Sequence, residues 1–277
     1  MSNRANRNKL VSYLLMFICV VVFLFPVYWI AVKAFNGPTG IMSYPPELIP
    51  KTINFENFFY AEKTYRISTL MINTIYVSSL SLLAACVSSM FVAYGFARMR
   101  FPFKKTLFAI VLSSMMLPWD ITVIPQFIIF SKLKMTNSYY PLILPLCFGV
   151  PLYIFLLRQF IMSIPYELDE AALIDGCGRF GIFARIITPL MKPGITLVIV
   201  YQFLLSWNDF LNPLVYLNSN AKYTMSLGIY NMNSGIYGVD WAGIMAGGFV
   251  AIIIPVVVFA FSQKHLIEGI AMSGLKG

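Results

Sequence analysis

Apolar residues in this 277-residue chain fall into six long blocks, with the polar residues gathered into the intervals between them. The blocks are Val11–Val32, Thr69–Ala97, Thr106–Phe130, Tyr139–Leu157, Gly194–Leu211 and Trp241–Ser262. Each is long enough for an α-helix to cross a bilayer core of about 30 Å, which takes about 17–25 residues, and Thr69–Ala97 is longer still. Backbone groups in hydrocarbon find no water, so a spanning segment must satisfy them internally, which predicts helix for all six. The expected fold is therefore an all-α membrane protein of six transmembrane helices, a single polytopic membrane domain over 1–277 with no soluble domain attached. Long polar intervals fall at about 33–68, 163–192 and 212–240.

The interval at 163–192 is unlike the others. From Pro165 to Gly178 it holds Glu167, Asp169, Glu170 and Asp175, four of the chain's eleven carboxylates, and no Lys or Arg. Such a segment has no stabilising place in lipid and must face water. Ser163 or Ile164 stands at its start, and Pro165 suits a first helical turn, where its missing N–H costs little. Carboxylates early in a helix favour the positive end of its dipole. Three- and four-residue spacing puts Glu167, Glu170 and Ile174 on one face and Leu168, Ala171 and Ala172 on another. Small Ala171 and Ala172 keep the helix thin enough to enter a groove, and Gly176 and Gly178 are expected to end it. A second short amphipathic run follows with Phe180, Phe183, Ile186 and Ile187, before Pro189 and Pro193. Helices that lie on membrane surfaces are usually basic, to match anionic lipid. This one begins acidic, so it reads as a docking helix for another protein.

Composition agrees with the block pattern and adds direction. Hydrophobic residues make up 59% and charged residues 11%, and the mean hydropathy is +0.76, which excludes an ordinary soluble domain. Arg4, Arg7 and Lys9 precede the first block as in a signal peptide, but the block is long and no small-x-small cleavage site precedes Lys33, so an uncleaved helix is expected. With the N-terminus inside, thirteen of the twenty cations fall in cytoplasmic pieces and seven outside. The short Arg98–Lys105 loop alone carries four of them, so both termini and the docking segment are expected in the cytoplasm. The net charge of +9 then reports topology. No basic patch interleaved with aromatics supports a nucleic-acid partner. Cys19, Cys86, Cys147 and Cys177 stand singly and suggest small buried hydrophobes, with neither a disulfide framework nor a metal site.

The run EAALIDGCGRFGIFARIITPLMKP, from Glu170 to Pro193, resembles the "EAA" cytoplasmic loop of ATP-binding-cassette importer permeases, departing mainly at Cys177, where Ala is usual. LPWDITVIPQF, FLLRQFIMSIPYELDEAA, FLLSWNDFLNPLVYL and QKHLIEGIAMSGLKG extend the match and are similar to the carbohydrate-uptake branch, in particular its maltose-permease-like second subunit. The resemblance implies a second, homologous permease subunit forming a heterodimer, two ATP-binding-cassette ATPase subunits beneath, and an extracytoplasmic sugar-binding protein. It implies that Glu170 pairs with a basic residue of the ATPase, that Gly176 provides a tight turn, and that Ala171, Ala172, Leu173 and Asp175 line the contact. The tail Ser273–Gly277 is implied to reach between the ATPase subunits, and the 212–240 loop toward the binding protein. No catalytic residue, cofactor or metal is implied. The chain has no G-x-x-x-x-G-K-[ST] loop to cradle phosphates, so the energy must come from another chain.

Polar residues inside the blocks are the candidates for a substrate pathway. Asp120 follows Pro118-Trp119 inside the third block. A carboxylate facing lipid at mid-bilayer costs about 2.5–3.5 kcal/mol, so Asp120 is expected to face the bundle interior, in a substrate, structural or gating role. Trp207, Asn208 and Asp209 offer an aromatic face for sugar C–H surfaces and polar groups for hydroxyls. Their alternative is an interfacial tryptophan beside a helix-end polar pair. Ser78, Ser79, Ser81, Ser88 and Ser89 in the second block are expected to permit close helix packing. The aromatic group Phe55, Phe58, Phe59 and Tyr60 is expected to pack on the outer face or a partner, and His265 to be a solvated helix-end residue.

Competing functions make different demands. A permease for another small solute, such as a polyamine, peptide or amino acid, would share the docking helix but not the C-terminal and WND blocks. A self-contained secondary transporter would show paired intramembrane carboxylates or inverted repeats, and neither is evident. An intramembrane enzyme would need a catalytic constellation at membrane depth, and one histidine near a terminus does not make one.

Overall fold

The computed structural model describes the backbone over 2–37, 40–50, 53–233 and 238–274, and side chains over those stretches between 9 and 263. Gly235, the His265 side chain and the tail side chains therefore lie outside the described residues. Among the described residues the chain is helical, with no strand. Four helical stretches are long and apolar enough to cross a membrane: Lys9–Phe35, Ile67–Arg98, Tyr140–Ser163 and Trp241–Gln263. Two further stretches qualify only as bent pairs, which would make six.

The first, second and last blocks form unbroken helices, α1 (Ser2–Phe35), α3 (Ile67–Arg98) and α14 (Trp241–Gly274), with the short α2 (Glu56–Tyr65) before α3. The third block does not form one helix. It splits into α4 (Lys104–Ser114) and α5 (Trp119–Lys132), bent by 98°. The amides of Met115, Met116 and Leu117 bond three residues back, to Leu112, Ser113 and Ser114, so the helix tightens and stops. Pro118, extended at φ −70° and ψ 150°, has no N–H to carry it on. Apolar content alone carries no sign of this break.

The fourth block begins one residue late and runs past its expected end, as α6 (Tyr140–Ile143), a 3₁₀ turn over Leu144–Phe148, and α7 (Pro151–Ser163). Gly149 joins them at φ +91°, and a Cβ there would meet Ile154 at 3.0 Å. The freed backbone groups are met by serines of α3. The Val150 amide donates to Ser89 Oγ at 3.0 Å, and Ser88 Oγ lies 2.8 Å from the Leu146 carbonyl. These two serines thus satisfy a broken helix, a role beyond the close packing expected of them.

Ser163 closes α7 rather than opening the docking helix. That helix, α8 (Glu167–Ile174), starts two residues after Pro165. Then come α9 (Arg179–Ile182), a π turn over Phe183–Ile187, α10 (Thr188–Leu190) and α11 (Lys192–Trp207). The Thr188 amide and hydroxyl both reach the Phe183 carbonyl, five residues back. Pro189, next in line, can donate nothing, which favours this local unwinding. A 77° bend separates Arg179–Leu190 from α11. The expected 212–240 polar loop instead contains α12 (Leu211–Tyr216) and α13 (Met225–Asn233). Met225, Leu227 and Met232 of α13 are buried, so much of that interval is core.

The chain divides into two compact units, Met1–Met71 with Leu227–Ile254, and Ile72–Ser226 with Pro255–Gly277. In the first, Phe35, Phe55, Phe58 and Phe249 form an aromatic cluster with centroids 5.1–6.1 Å apart, while Phe59 and Tyr60 stay exposed. Asn57, fully buried, turns its amide onto carbonyls at the end of α1 and just beyond it, Ala34 at 3.1 Å and Asn36 at 2.5 Å. Lys33 belongs to that same helix end and not to a solvated loop. It is 3% exposed, donates to the Gly40 carbonyl and lies over the Trp29 ring. The second unit is built on one apolar core that joins α3, α7, α8, α9 and α11. Cys86 and Cys177 belong to that core region, but Cys19 and Cys147 are exposed, against the expectation that all four are buried.

Candidate functional site

The docking segment is held to its own unit by the side chain that looked least distinctive. Asp169 is 4% exposed, and one of its carboxylate oxygens sits 3.2 Å from Nε of Arg98, the last residue of α3. The same guanidinium donates to the Ile164 carbonyl at 2.7 Å and lies over the Tyr166 ring. At the far end of the segment, the Tyr94 hydroxyl donates to the Arg179 carbonyl at 3.1 Å. The end of α3 thus holds the start of α8 and the backbone on either side of it, at Ile164 and Arg179. Burial pushes the Asp169 carboxyl up from its ordinary pKa, against the opposing pull of Arg98. Its second oxygen has no hydrogen-bond partner, which is part of why desolvation wins.

Ala172 packs into the core beside Asp169, so it does not line an outward contact as expected. Glu167, Glu170, Ala171 and Asp175 are exposed. So are Leu168, Leu173, Ile174 and Phe180, with Ile174 at 87%. This surface combines carboxylates with large apolar groups. Gly176 ends the helix as expected. Its φ is +80°, its amide bonds the Leu173 carbonyl, and the Cys177 amide bonds the Ala172 carbonyl, the paired bonds of a left-handed helix cap. A Cβ on Gly176 would touch nothing, so the requirement is torsional. Gly178 does not share that task. It is extended and precedes α9.

The pathway candidates are separated by the structure. Asp120 is exposed in the first turn of α5 and does not face the interior of this chain's bundle. Trp207 is buried with its ring against Phe203. Asn208 is exposed and donates back to the Leu204 carbonyl at 2.8 Å, as a helix-end group. Asp209 lines a cavity of about 330 Å³ between residues of α3, α6, α7, α11 and α12. Its carboxylate accepts from the Asn212 amide at 3.2 Å and from Asn212 Nδ2 at 2.9 Å. Asn212 Oδ1 in turn accepts the Trp119 indole N–H at 2.9 Å.

Other polar walls of that cavity come from Tyr153, Gln202, Ser206 and Thr224, which the sequence did not single out, and from Ser81, expected to permit close packing. The Tyr153 hydroxyl donates to Gln202 Oε1 at 2.8 Å, and Gln202 Nε2 donates to Ser206 Oγ at 2.7 Å. Ser81 and Thr224 complete it, both buried, and Thr224 Oγ1 has no partner. The four- and three-residue steps from Gln202 to Ser206 to Asp209 were a readable signal of one polar face.

Comparison with known proteins follows the same lines. The family described as "Binding-protein-dependent transport system inner membrane component" matches residues 85–271. The arabinooligosaccharides transport system permease protein AraQ of Halalkalibacterium halodurans is 33% identical over 256 residues, 91% of each chain. The galactooligosaccharides permease GanQ of Bacillus subtilis is 30% identical, covering 97% of this chain and 95% of its own. The diacetylchitobiose uptake permease DasC of Streptomyces coelicolor is 30% identical, covering 93% and 95%. Among solved structures, a bacterial ABC transporter that imports the acidic polysaccharide alginate aligns with TM-score 0.82 at 18% identity, over 94% of this chain and 97% of that one. The alginate transporter in complex with its pentasaccharide-bound periplasmic protein aligns with TM-score 0.65 at 16% identity.

Proposed function

The chain belongs to the binding-protein-dependent transport system inner membrane components, in their carbohydrate-uptake branch, and from that premise we propose how it couples ATP to sugar import. It is a multi-pass inner-membrane permease. In our reading it crosses the membrane six times, each bent pair counting as one span, as a single domain with both termini in the cytoplasm. It pairs with a second permease subunit, sits above two ATPase subunits, and receives sugar from an extracytoplasmic binding protein. ATP hydrolysis in this family is done by the separate ATPase subunits.

The observation that carries this reading is the two-sidedness of α8. Asp169 and Ala172 tie it inward, while Glu170, Ala171, Leu173, Ile174 and Asp175 stand outward, exposed among the described residues. An exposed mixture of carboxylate and large apolar groups suits a protein cleft that contains a cation. Gly176 sets the angle at which the segment leaves that cleft. Because α3 holds the start of α8 through Asp169 and the chain after it through Arg179, movement of the ATPase would be carried into a membrane-spanning helix. Alternating access then follows as a shift between two packings, biased by ATP below and by loaded binding protein above. Sugar passes the polar cavity that holds Asp209. Asp120 and Asn208, exposed in this chain, are placed to meet the partner permease or the pathway, and buried Trp207 supports the α11 end.

Glu170→Lys tests the docking surface, because residue 170 makes no contact that the membrane fold needs. The variant should accumulate in the membrane as wild type does, lose the ATPase on purification in mild detergent, and lose uptake. Full ATPase retention with normal uptake would refute the role of α8.

A further inference from the structure

The cavity at Asp209 has a definite chemical bias. Its volume of about 330 Å³ is at the small end of the roughly 300–1,000 Å³ usual for ligand sites, enough for one sugar ring and too little for an extended oligosaccharide. Its apolar walls are Val77, Leu142, Leu146 and Leu205, with Pro213 beside them. Its polar groups are hydroxyls, side-chain amides and one carboxylate, and none of its lining residues is cationic. Ser206 accepts from Gln202 and so keeps its own hydroxyl proton to give. Thr224 Oγ1 is buried without a partner, and an orphaned buried hydroxyl is stabilised by any ligand that can bond it. The Asp209 oxygens each take one bond from Asn212, leaving lone pairs for sugar hydroxyls.

We infer that this cavity accepts one neutral sugar ring at a time and excludes uronate or phosphorylated sugars, with Asp209 as the residue that sets this charge selection. The inference rests on the sugar-pathway reading above. A neutral ring offers donors to the carboxylate and takes protons from Ser206 and Thr224, and its C–H faces meet the valine and leucine walls. An anionic ring would bring a second negative charge beside Asp209 with no cation lining the cavity. Like charges about 5 Å apart, at effective dielectrics of about 40 to 20, repel enough to weaken binding roughly 15- to 250-fold.

The test uses the assembled transporter, purified with its partner permease and ATPases into lipid nanodiscs and without binding protein, so that only the membrane site selects. The probes are tritiated arabinobiose, galactobiose, diacetylchitobiose and digalacturonate, measured by equilibrium binding. Wild type should bind at least one neutral disaccharide and bind digalacturonate at least about 15-fold more weakly, the lower end of the repulsion above. Asp209→Asn, which keeps the side-chain shape, should bring the ratio close to one, and Asp209→Glu should preserve it. Digalacturonate binding as well as the neutral probes in wild type overturns the charge selection, whatever the variants do. So does a ratio that Asp209→Asn leaves unchanged. Gln202→Leu separates the two layers of argument. If neutral binding survives it intact, or if none of the three neutral probes binds wild type, the pathway reading itself is wrong and the inference falls with it. Loss of neutral binding in Gln202→Leu, beside equal binding of both charge classes in wild type, would remove the charge selection alone.

Discussion

Replacing Arg98 with methionine removes the cation from a pair whose side chains are only 8% and 5% exposed. Methionine replaces the aliphatic stem but not the guanidinium, so the loss falls on charge, hydrogen bonding and the contact over the Tyr166 ring. Taking one partner from a buried ion pair typically costs about 3–5 kcal/mol, because the other charge is left uncompensated. The Ile164 carbonyl loses its donor at the same stroke. The cost falls on docking of α8 against α3, so the quantity to measure is local opening. Hydrogen exchange at the Gly176 and Cys177 amides, which close the α8 cap, should speed up by roughly 100-fold or more, the equivalent of about 3 kcal/mol. The defect should depend on pH with a definite sign. Asp169 is already raised by burial, and loss of Arg98 raises it further, so the docked state binds more protons than the undocked one. Docking in the variant is therefore weakest above the docked carboxyl's pKa, and strengthens as pH falls through it toward the undocked value of about 3.9. Asp169→Asn placed on Arg98→Met should recover much of the loss, since no buried charge remains. Unchanged amide protection in Arg98→Met at neutral pH would refute the claim that this pair holds the docking helix.

Substitutions at three further positions test the framework. Gly176→Ala should destabilise the α8 cap by about 1–2 kcal/mol, the penalty of a left-handed backbone for a residue with a Cβ, while Gly176→Asn should cost less; amide exchange at Cys177 reads both. Asn57→Leu strips the last carbonyls of α1 of their buried donor and should lower the stability of the first unit by about 1–3 kcal/mol, seen as a lower thermal midpoint in detergent. Gly194→Val should also lower that midpoint, by the 1–3 kcal/mol typical of overpacking, because a Cβ there would lie 2.7 Å from the Phe160 ring.

Much of the architecture was legible because long apolar runs have one structural solution in lipid. The first, second and sixth blocks became helices whose apolar stretches, Lys9–Phe35, Ile67–Arg98 and Trp241–Gln263, lie close to the expected limits, although α1 begins earlier and α14 runs further. The α8 segment stood out by its carboxylates, and Gly176 by the need for a turn. What periodicity could not show was where a run breaks. Pro118 and Gly149 act on the backbone, and their neighbours are as apolar as any helix. Burial within the polar segments was equally hidden. Asp169 and Glu170 are adjacent carboxylates, yet one is locked to Arg98, seventy-one positions away in sequence, and the other is exposed. The pathway candidates were divided for a related reason, with Asp209 on the cavity wall and Trp207 away from it. Trp207 was chosen by residue type, whereas the cavity is made by Tyr153, Gln202, Ser206 and Thr224, ordinary residues that only the packing of separate helices brings together.

The central claim is that this chain is the membrane half of an ATP-driven assembly, and purification from its native membrane in mild detergent tests it most directly. The chain should come down with a second permease and an ATPase, and the complex should hydrolyse ATP. A chain recovered alone that transports sugar in liposomes without ATP would contradict that claim.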